Sequence, residues 1–185
     1  RDALAGLLAG LETDLTAVVH AAGIGDVAAV TDTGLDDLAA ALSGKAAGAR
    51  HLDELLGDTP LDAFVLFSSN AGVLGGGGQS AYAAANASLD ALAEQRRARG
   101  LAATSVAWGL WDGGSGLGDA DDADYVLRRG LRPMTPELAV AALVRAVEHD
   151  ETTGVVADID WERFATAFTA HRSRPLIADL PEVKE

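Results

Sequence analysis

Short apolar runs alternate with segments of helical spacing along the chain, and this alternation constrains the fold more than any other feature. The predicted strands are 16–23, 63–67, 103–108 and 154–159, and the predicted helices are 35–56, 80–99, 135–149 and 161–171. Strands that alternate with helices favour a parallel sheet, because each crossover needs a long connection. We therefore expect an α/β fold in which a parallel sheet carries helices on both faces.

The composition limits the class of protein. The chain has 185 residues, 49% of them hydrophobic, which is enough for one domain with a core. Its net charge of -14 argues against a nucleic-acid partner, because phosphate binding needs a basic surface. Cysteine is absent and the histidines lack ligand spacing, so no metal site is predicted. Without a signal peptide or an apolar run of about 20 residues, we expect a soluble, cytoplasmic protein with no membrane partner.

The chain lacks the glycine fingerprint of a nucleotide-binding sheet. Such a sheet normally begins with a strand, a G-x-G-x-x-G turn and a helix. Here the glycine run Gly75–Gly78 lacks that spacing and is typical of a flexible loop, part of a predicted loop over 72–78. We therefore expect the chain to begin midway through a domain, assigned to residues 1–175. The tail 176–185 is predicted to be a C-terminal linker.

Four polar residues form a set that suits carbonyl reduction: Lys45, Ser69, Tyr82 and Asn86. Ser69 ends a buried strand, and Asn86 lies one helical turn beyond Tyr82 on the same face. Tyr82 would donate a proton to the carbonyl oxygen, and Lys45 would supply the cation that a phenol needs to cycle its proton. Ser69 would position the carbonyl, and Asn86 would hold Lys45 or a water.

Spacing alone leaves a plainer interpretation of this set open. Tyr82 and Asn86 are then incidental polar positions on an alanine-rich helix, and Lys45 is a solvated surface residue. On spacing alone, this plainer interpretation is favoured over the catalytic one.

The surrounding motifs resemble the ketoreductase domains of modular polyketide synthases. The stretch Val65–Val73 followed by Tyr82–Ala93 matches that family, and so do His20–Gly23 and Ser105–Trp111. The resemblance covers nearly the whole chain. It implies an extended short-chain dehydrogenase/reductase with a Rossmann-like parallel sheet, here without its first strands.

The resemblance also implies roles for individual residues. In this family the usual Tyr-x-x-x-Lys becomes Tyr-x-x-x-Asn, and the lysine moves to an upstream helix, as Tyr82, Asn86 and Lys45 do here. Ser69 matches the family serine, so all four catalytic residues of a reductase are present. The implied cofactor is NADPH, and the residues implied to contact it are Ala21, Ala22, Gly23, Lys45, Tyr82, Trp108, Gly109 and Leu110. Residues 113–130 match a lid over the substrate.

The substrate and partners follow from the same resemblance. The substrate would be a β-ketoacyl chain on the phosphopantetheine arm of an acyl carrier protein, reduced by the pro-S hydride of NADPH. The family domain consists of a structural and a catalytic subdomain, and this chain matches most of the catalytic one. The groups that hold the NADPH phosphates would lie in a missing N-terminal half, so we expect the 185 residues alone to be inactive.

Three features of the sequence bear on stereochemistry. Residues 25–27 replace the Leu-Asp-Asp signature of one family class, and Leu74 replaces the tryptophan of the other. Gln79 resembles the branch of this second class that acts on non-epimerised substrates. We therefore expect Leu74 and Gln79 to contact substrate and the product to be A-type, with an L-configured hydroxyl.

Two other functions are weighed against this one. A non-catalytic scaffold fragment of a megasynthase would fit the missing cofactor half, although the four intact residues argue against it. Another α/β enzyme, such as a methyltransferase, would need a glycine loop after the first strand and an acidic residue at the end of an early strand. Neither is visible in the sequence.

Overall fold

The computed structural model describes residues 1–11, 13–25, 28–113 and 126–184. The helices are α1 (Asp2–Ala9), α2 (Leu35–Leu42), α3 (Gly48–Leu56), α4 (Ala71–Leu74), α5 (Ser80–Ala98), α6 (Pro136–Glu148), α7 (Trp161–Thr169), α8 (Pro175–Ala178) and α9 (Pro181–Lys184), and a π-helical turn (Ser43–Ala47) joins α2 to α3. The strands are β1 (Ala17–His20), β2 (Ala63–Ser69), β3 (Thr104–Trp108), β4 (Leu131–Arg132), β5 (Thr153–Val156) and β6 (Asp158–Ile159). Two compact units result, Arg1–Trp108 with Ala142–Val156 and Gly109–Ala141 with Ala157–Glu185.

The first unit holds a four-stranded sheet in the order β1-β2-β3-β5. Its strands are all parallel, and each consecutive pair along the chain is linked through a segment that contains a helix. The β2–β3 register ends with Ser69 opposite Trp108. The predicted parallel α/β sheet is thereby confirmed, and the carboxyl ends of its strands share one edge.

The core of this unit lies where α3 and α5 pack on the sheet. Small residues let the elements approach closely: a Cβ at Gly72 would lie 3.1 Å from the backbone nitrogen of Ala87, so α4 packs on the α5 backbone itself. The fully packed apolar cluster consists of Ala49, Phe64, Leu66, Leu89, Leu92, Ala93 and Ala103. Burial of this apolar surface stabilises the frame that carries the strand ends.

A buried ion pair joins α3 to α5. Arg96 is 0% exposed, and its Nη1 donates to Asp53 Oδ1 at 2.5 Å while its Nε donates to the Ala102 carbonyl at 3.1 Å. The guanidinium also stacks 4.0 Å from the Phe64 ring centroid. Arg99 contributes a second guanidinium contact to the same Asp53 oxygen. A buried guanidinium needs such partners, because an unpaired charge inside a protein is strongly unfavourable.

The second unit has its own small sheet and aromatic cluster. β4 and β6 pair antiparallel. Gly130, directly before β4, has a φ of +83°, and no side chain fits there because a Cβ would lie 2.6 Å from the Asp160 carbonyl oxygen. The Asp160 carboxylate caps α7 and accepts from Arg132 at 2.8 Å. Phe164 of α7 stacks on Phe168 with ring centroids 5.1 Å apart.

Several predicted elements differ from the observed ones in detail. The predicted helix over 35–56 is helical throughout but contains the π-helical turn. The predicted loop over 72–78 begins inside α4, because the Asn70 carbonyl accepts from the Leu74 N–H at 2.7 Å. The predicted strand over 154–159 is divided between β5 and β6, which belong to different sheets. Apolar spacing does not reveal such changes, which depend on hydrogen-bond partners elsewhere in the chain.

The domain boundaries stay a prediction. The tail that was predicted to be a linker contains α8 and α9, and Ile177 in α8 is 2% exposed. Within the described ranges, no helix is both long enough and apolar enough to cross a membrane.

Removing the partner of the buried arginine tests its energetic role. We expect Asp53→Ala to lower the free energy of unfolding by about 3 kcal/mol, because it leaves the Arg96 guanidinium buried without its countercharge. Urea denaturation of the domain that contains this chain measures the change. The matched control is Glu54→Ala, whose pair with Arg1 at 3.6 Å lies at the surface and contributes about 1 kcal/mol or less. Equal losses in both variants would contradict the assignment.

Candidate active site

The carboxyl edge of the parallel sheet gathers the ends of three strands. His20 ends β1, Ser69 ends β2 and Trp108 ends β3. Ser69 and Trp108 are register partners, and the Asn70 N–H donates to the Trp108 carbonyl at 2.9 Å just beyond them. Ligands of open parallel sheets bind at this edge, so side chains delivered here can act together.

Lys45 reaches this edge from the π-helical turn. Lys45 is 5% exposed, and its Nζ donates to the Phe67 carbonyl of β2 at 2.9 Å. The same Nζ lies 5.6 Å from the centroid of the Tyr82 ring. The structure therefore brings Lys45 and Tyr82 together, and the interpretation of Lys45 as a solvated residue is wrong. A single turn of π-helix within an α-helix often marks a functional position.

Two opposing effects act on the pKa of Lys45. Burial lowers its pKa from the ordinary 10.5, because an ammonium loses hydration away from water, and the negative charge of Asp90 raises it in part. Asp90 lies one turn beyond Asn86 on α5, and its Oδ1 accepts from the Ser105 hydroxyl at 2.6 Å. Sequence reasoning missed Asp90. The spacing of Tyr82, Asn86 and Asp90 along one helix face was the signal for it.

Tyr82 and Asn86 occupy the first two turns of α5. Tyr82 is half-buried, whereas Asn86 is 0% exposed. Asn86 Nδ2 donates to the Tyr82 carbonyl at 2.7 Å, and its Oδ1 is buried with no hydrogen-bond partner among the described residues. A buried acceptor without a partner is unusual, and it leaves Oδ1 available to a donor at the site.

Ser69 and its neighbour Ser68 hold the end of β2 in place. Ser69 is 8% exposed, and its Oγ accepts from the Ala71 N–H at 3.2 Å, at the start of α4. Ser68, which sequence reasoning did not single out, donates from Oγ to the Asn86 carbonyl at 3.2 Å. Its position beside Ser69 at a buried strand end was the available signal. The two hydroxyls thus connect the end of β2 to α4 and α5.

The residues predicted to contact a cofactor divide between the two units. Ala21, Ala22 and Gly23 are exposed and follow β1 directly. Trp108 is 5% exposed, and its ring lies 5.3 Å from that of Phe67. Gly109 and Leu110 follow Trp108 along the chain and belong to the second unit. Their contacts with a cofactor stay a prediction.

The residues predicted to contact substrate lie between β2 and α5. Leu74 ends α4, and Gln79 precedes α5, where its carbonyl accepts from the Ala83 N–H at 2.7 Å. Both are half-buried. Asp26 and Val27, which stand in place of the Leu-Asp-Asp signature, and residues 114–125 of the predicted lid lie outside the described residues.

A small cleft opens beside the Tyr82 ring. Its walls come from the segment after β1, from α2 and from the start of α5, and include Ile24, Ala28, Ala40, Ala41, Gly78 and Tyr82. Two of these lining residues are hydrogen-bonded to each other, since the Ala28 N–H donates to the Gly78 carbonyl at 2.8 Å. Among the described residues, no group of three or more histidine, aspartate or glutamate side chains could hold a metal ion.

Known proteins match this chain closely in sequence. The family model described as "KR domain" matches residues 1–113. The pikromycin polyketide synthase component PikAIII of Streptomyces venezuelae is 57% identical over 94% of this chain and 11% of its own length. Erythronolide synthase EryA3 of Saccharopolyspora erythraea is 48% identical over 94% of this chain and 5% of its own length. The chain therefore spans only a small part of the curated relatives it matches.

Solved structures agree with these relatives. A structure described as A-type ketoreductases from modular polyketide synthase is 50% identical, with a TM-score of 0.95 over 99% of this chain and 39% of its own. The first ketoreductase of the tylosin polyketide synthase is 48% identical, with a TM-score of 0.91 over 100% of this chain and 40% of its own. The chain therefore belongs to the family of KR domains, the ketoreductase domains of modular polyketide synthases.

Proposed function

We propose that the domain containing this chain reduces the β-keto group of a β-ketoacyl thioester, with NADPH as the reductant. The observation that carries this proposal is the pairing of Tyr82 with a buried Lys45, whose Nζ lies 5.6 Å from the ring centroid. A phenol beside a fixed cation is suited to giving a proton to a carbonyl oxygen.

Tyr82 is the proton donor in this scheme. As negative charge develops on the substrate oxygen, the phenol proton moves to that oxygen and leaves a phenolate. The Lys45 ammonium stabilises this phenolate, and the Phe67 carbonyl holds the ammonium by accepting from Nζ at 2.9 Å. Ser69 Oγ, at the end of β2, hydrogen-bonds the same substrate oxygen and orients the carbonyl toward Tyr82.

Asn86 supports the return of the proton. Its Oδ1 is buried without a partner among the described residues, so it can accept from Lys45 or from a water that passes protons to Tyr82. Its Nδ2 is already used by the Tyr82 carbonyl at 2.7 Å, which fixes which end of the amide faces the site. Asn86 is therefore a positioning group for the proton path.

The residues at the sheet edge fit a nicotinamide cofactor. Ala21, Ala22 and Gly23 present only methyl groups and backbone to solvent at the end of β1, so a flat ring can approach the strand ends closely. NADPH, when bound, supplies the hydride for the carbonyl carbon. Trp108, with Gly109 and Leu110, would present backbone groups to the nicotinamide amide.

The names of the relatives support the substrate class. The sequence relatives at 57% and 48% identity are a component of a polyketide synthase and an erythronolide synthase. Such synthases carry their intermediates as thioesters, and we propose a β-ketoacyl chain on the phosphopantetheine arm of an acyl carrier protein as the substrate here. The protein would act in the cytoplasm, where the carrier protein and NADPH are present.

The stereochemical class is proposed as A-type. Structures described as A-type and A1-type ketoreductases are 50% and 49% identical to this chain. One described as C2-type is 45% identical, with a TM-score of 0.91. Sequence identity to these structures therefore favours the A-type by a small margin. Gln79, directly before α5, supports the same class.

Replacing the proton donor tests the reaction. In the full domain that contains this chain, we expect Tyr82→Phe to lower turnover of a β-ketoacyl thioester about 100- to 10,000-fold. The phenyl ring still fills the place beside Lys45, so NADPH binding should remain. Turnover is followed by NADPH oxidation and binding by fluorescence titration. A wild-type domain that neither binds NADPH nor reduces the thioester would instead support the scaffold function.

The charge of Asp90 should set the pH range of activity. Its negative charge raises the pKa of Lys45, so Asp90→Asn removes this effect and the burial effect then dominates. We expect the alkaline limb of the kcat profile to move to lower pH, because the ammonium is lost sooner as pH rises. Asparagine keeps an oxygen for the Ser105 hydroxyl. The control is Glu94→Gln, one turn further on α5 and exposed, and an unmoved limb in Asp90→Asn would refute the role of Asp90.

The configuration of the product tests the class. Chiral chromatography of the 3-hydroxyacyl product should give the L-configured alcohol if the domain is A-type. A D-configured product would overturn the A-type assignment while leaving the reductase function in place.

A further inference from the structure

Two residues of the His20–Gly23 segment contact Lys45 from different sides. His20 ends β1 and is 7% exposed, and its Nε2 lies 2.9 Å from the Lys45 carbonyl oxygen. Gly23 faces the Lys45 side chain instead: a Cβ built there would lie 2.5 Å from Cε and 3.3 Å from Cγ. One end of the segment thus contacts the main chain of Lys45, and the other contacts its aliphatic stem.

The chemistry of the contact assigns the proton on the His20 ring. A carbonyl oxygen can only accept, so Nε2 must carry the hydrogen and donate it. Burial lowers the pKa of His20, the hydrogen bond to the Lys45 carbonyl raises it, and the nearby Lys45 charge lowers it. His20 is therefore a neutral imidazole that donates from Nε2 to backbone.

The accepting carbonyl belongs to the π-helical turn. Residues 43–47 depart from α-helical geometry, and the Gly48 N–H at the end of the turn is shared between the Ser43 and Lys45 carbonyls. Such a turn is rare and is frequently found at functional sites. His20 donates a hydrogen bond to it from the sheet, which ties the turn to β1.

Close packing leaves the imidazole little freedom. A Cβ at Gly48 would lie 3.2 Å from His20 Cε1, so the ring rests against the helix backbone where no side chain intervenes. Rotation of the ring is therefore opposed on the helix side, and Nε2 stays directed at the Lys45 carbonyl. The hydrogen bond is buried, and it is the second one that the Lys45 carbonyl accepts, beside that from the Gly48 N–H.

We propose that His20 is a positioning residue for Lys45, with Gly23 providing the gap through which the lysine stem reaches the Phe67 carbonyl. This inference rests on the proposed role of Lys45 in stabilising the Tyr82 phenolate. His20 sets where the π-helical turn stands relative to β1, and Gly23 sets the path of the side chain. Together they fix the distance between the ammonium and the Tyr82 ring.

Two amide substitutions separate positioning from packing. In the full domain, His20→Gln places an N–H near the position of Nε2, whereas His20→Asn fills the same pocket with an N–H that is too short to reach the Lys45 carbonyl. We expect kcat to fall about 10- to 100-fold in His20→Asn and to recover to within a few-fold of wild type in His20→Gln. KM for the thioester should change little in either, because the His20 side chain is buried and its ring is directed at the Lys45 carbonyl.

A double-mutant cycle tests whether His20 acts through Lys45. Lys45→Met removes the ammonium and should lower kcat by itself. His20→Asn should then cost nothing further in the Lys45→Met background, because the group that it positions is gone. The matched control is His149→Asn, which should leave kcat unchanged: this exposed histidine directly follows α6, and its Nδ1 lies 2.9 Å from the Arg145 carbonyl of that helix.

The outcomes distinguish this inference from the proposed function. Wild-type kcat in Lys45→Met would refute the role of Lys45 and with it the proposed chemistry. A low kcat in Lys45→Met with wild-type kcat in His20→Asn would refute only the positioning role. Equal losses in His20→Asn and His20→Gln, or failure of both to fold by thermal denaturation, would assign His20 to packing alone and overturn the inference.

Discussion

The parallel pairing of β1, β2 and β3 is the constraint on which the site depends. Parallel strands must all end at the same edge, so residues far apart in the chain are delivered together once the register is set. The pairing of Ser69 with Trp108 and of His20 with Leu66 sets that register. The helices that make the crossovers then begin or pass beside this edge, which is why Lys45 and Tyr82 come from different helices and still meet.

Burial of the Lys45 ammonium is the least favourable feature of this arrangement. Desolvation opposes its charge, and the Phe67 carbonyl and the charge of Asp90 offset only part of that cost. Asn86 adds a buried oxygen without a partner among the described residues. Such unfavourable groups persist where a well-packed frame holds them, here the cluster around Phe64 and Leu89. Their location at one edge is what a proton-transfer site requires.

The residues of the candidate site were predictable from the sequence to different degrees. Ser69 was found because it ends a buried apolar run, and Tyr82 with Asn86 because they share a helix face. Lys45 could be placed on a helix, but its side-chain direction depends on the π-helical turn, which apolar spacing does not reveal. The spacing left open whether Lys45 is catalytic or solvated, and the resemblance to ketoreductase domains indicated the catalytic role. His20 and Asp90 went unassigned, because their partners are the Lys45 backbone carbonyl and the Ser105 hydroxyl of β3, both brought near by packing.

By itself the sequence determined the class of fold, the order of most strands and helices, and the residue types that carry the chemistry. Those properties are local: apolar periodicity and strand-end polar residues can be read within a short window. The tertiary structure alone decided that the Lys45 ammonium lies beside the Tyr82 ring, that His20 holds the Lys45 backbone and that residues 154–159 divide between two sheets. Each of these depends on hydrogen bonds or packing between segments distant in sequence, and local pattern contains no information about such distances.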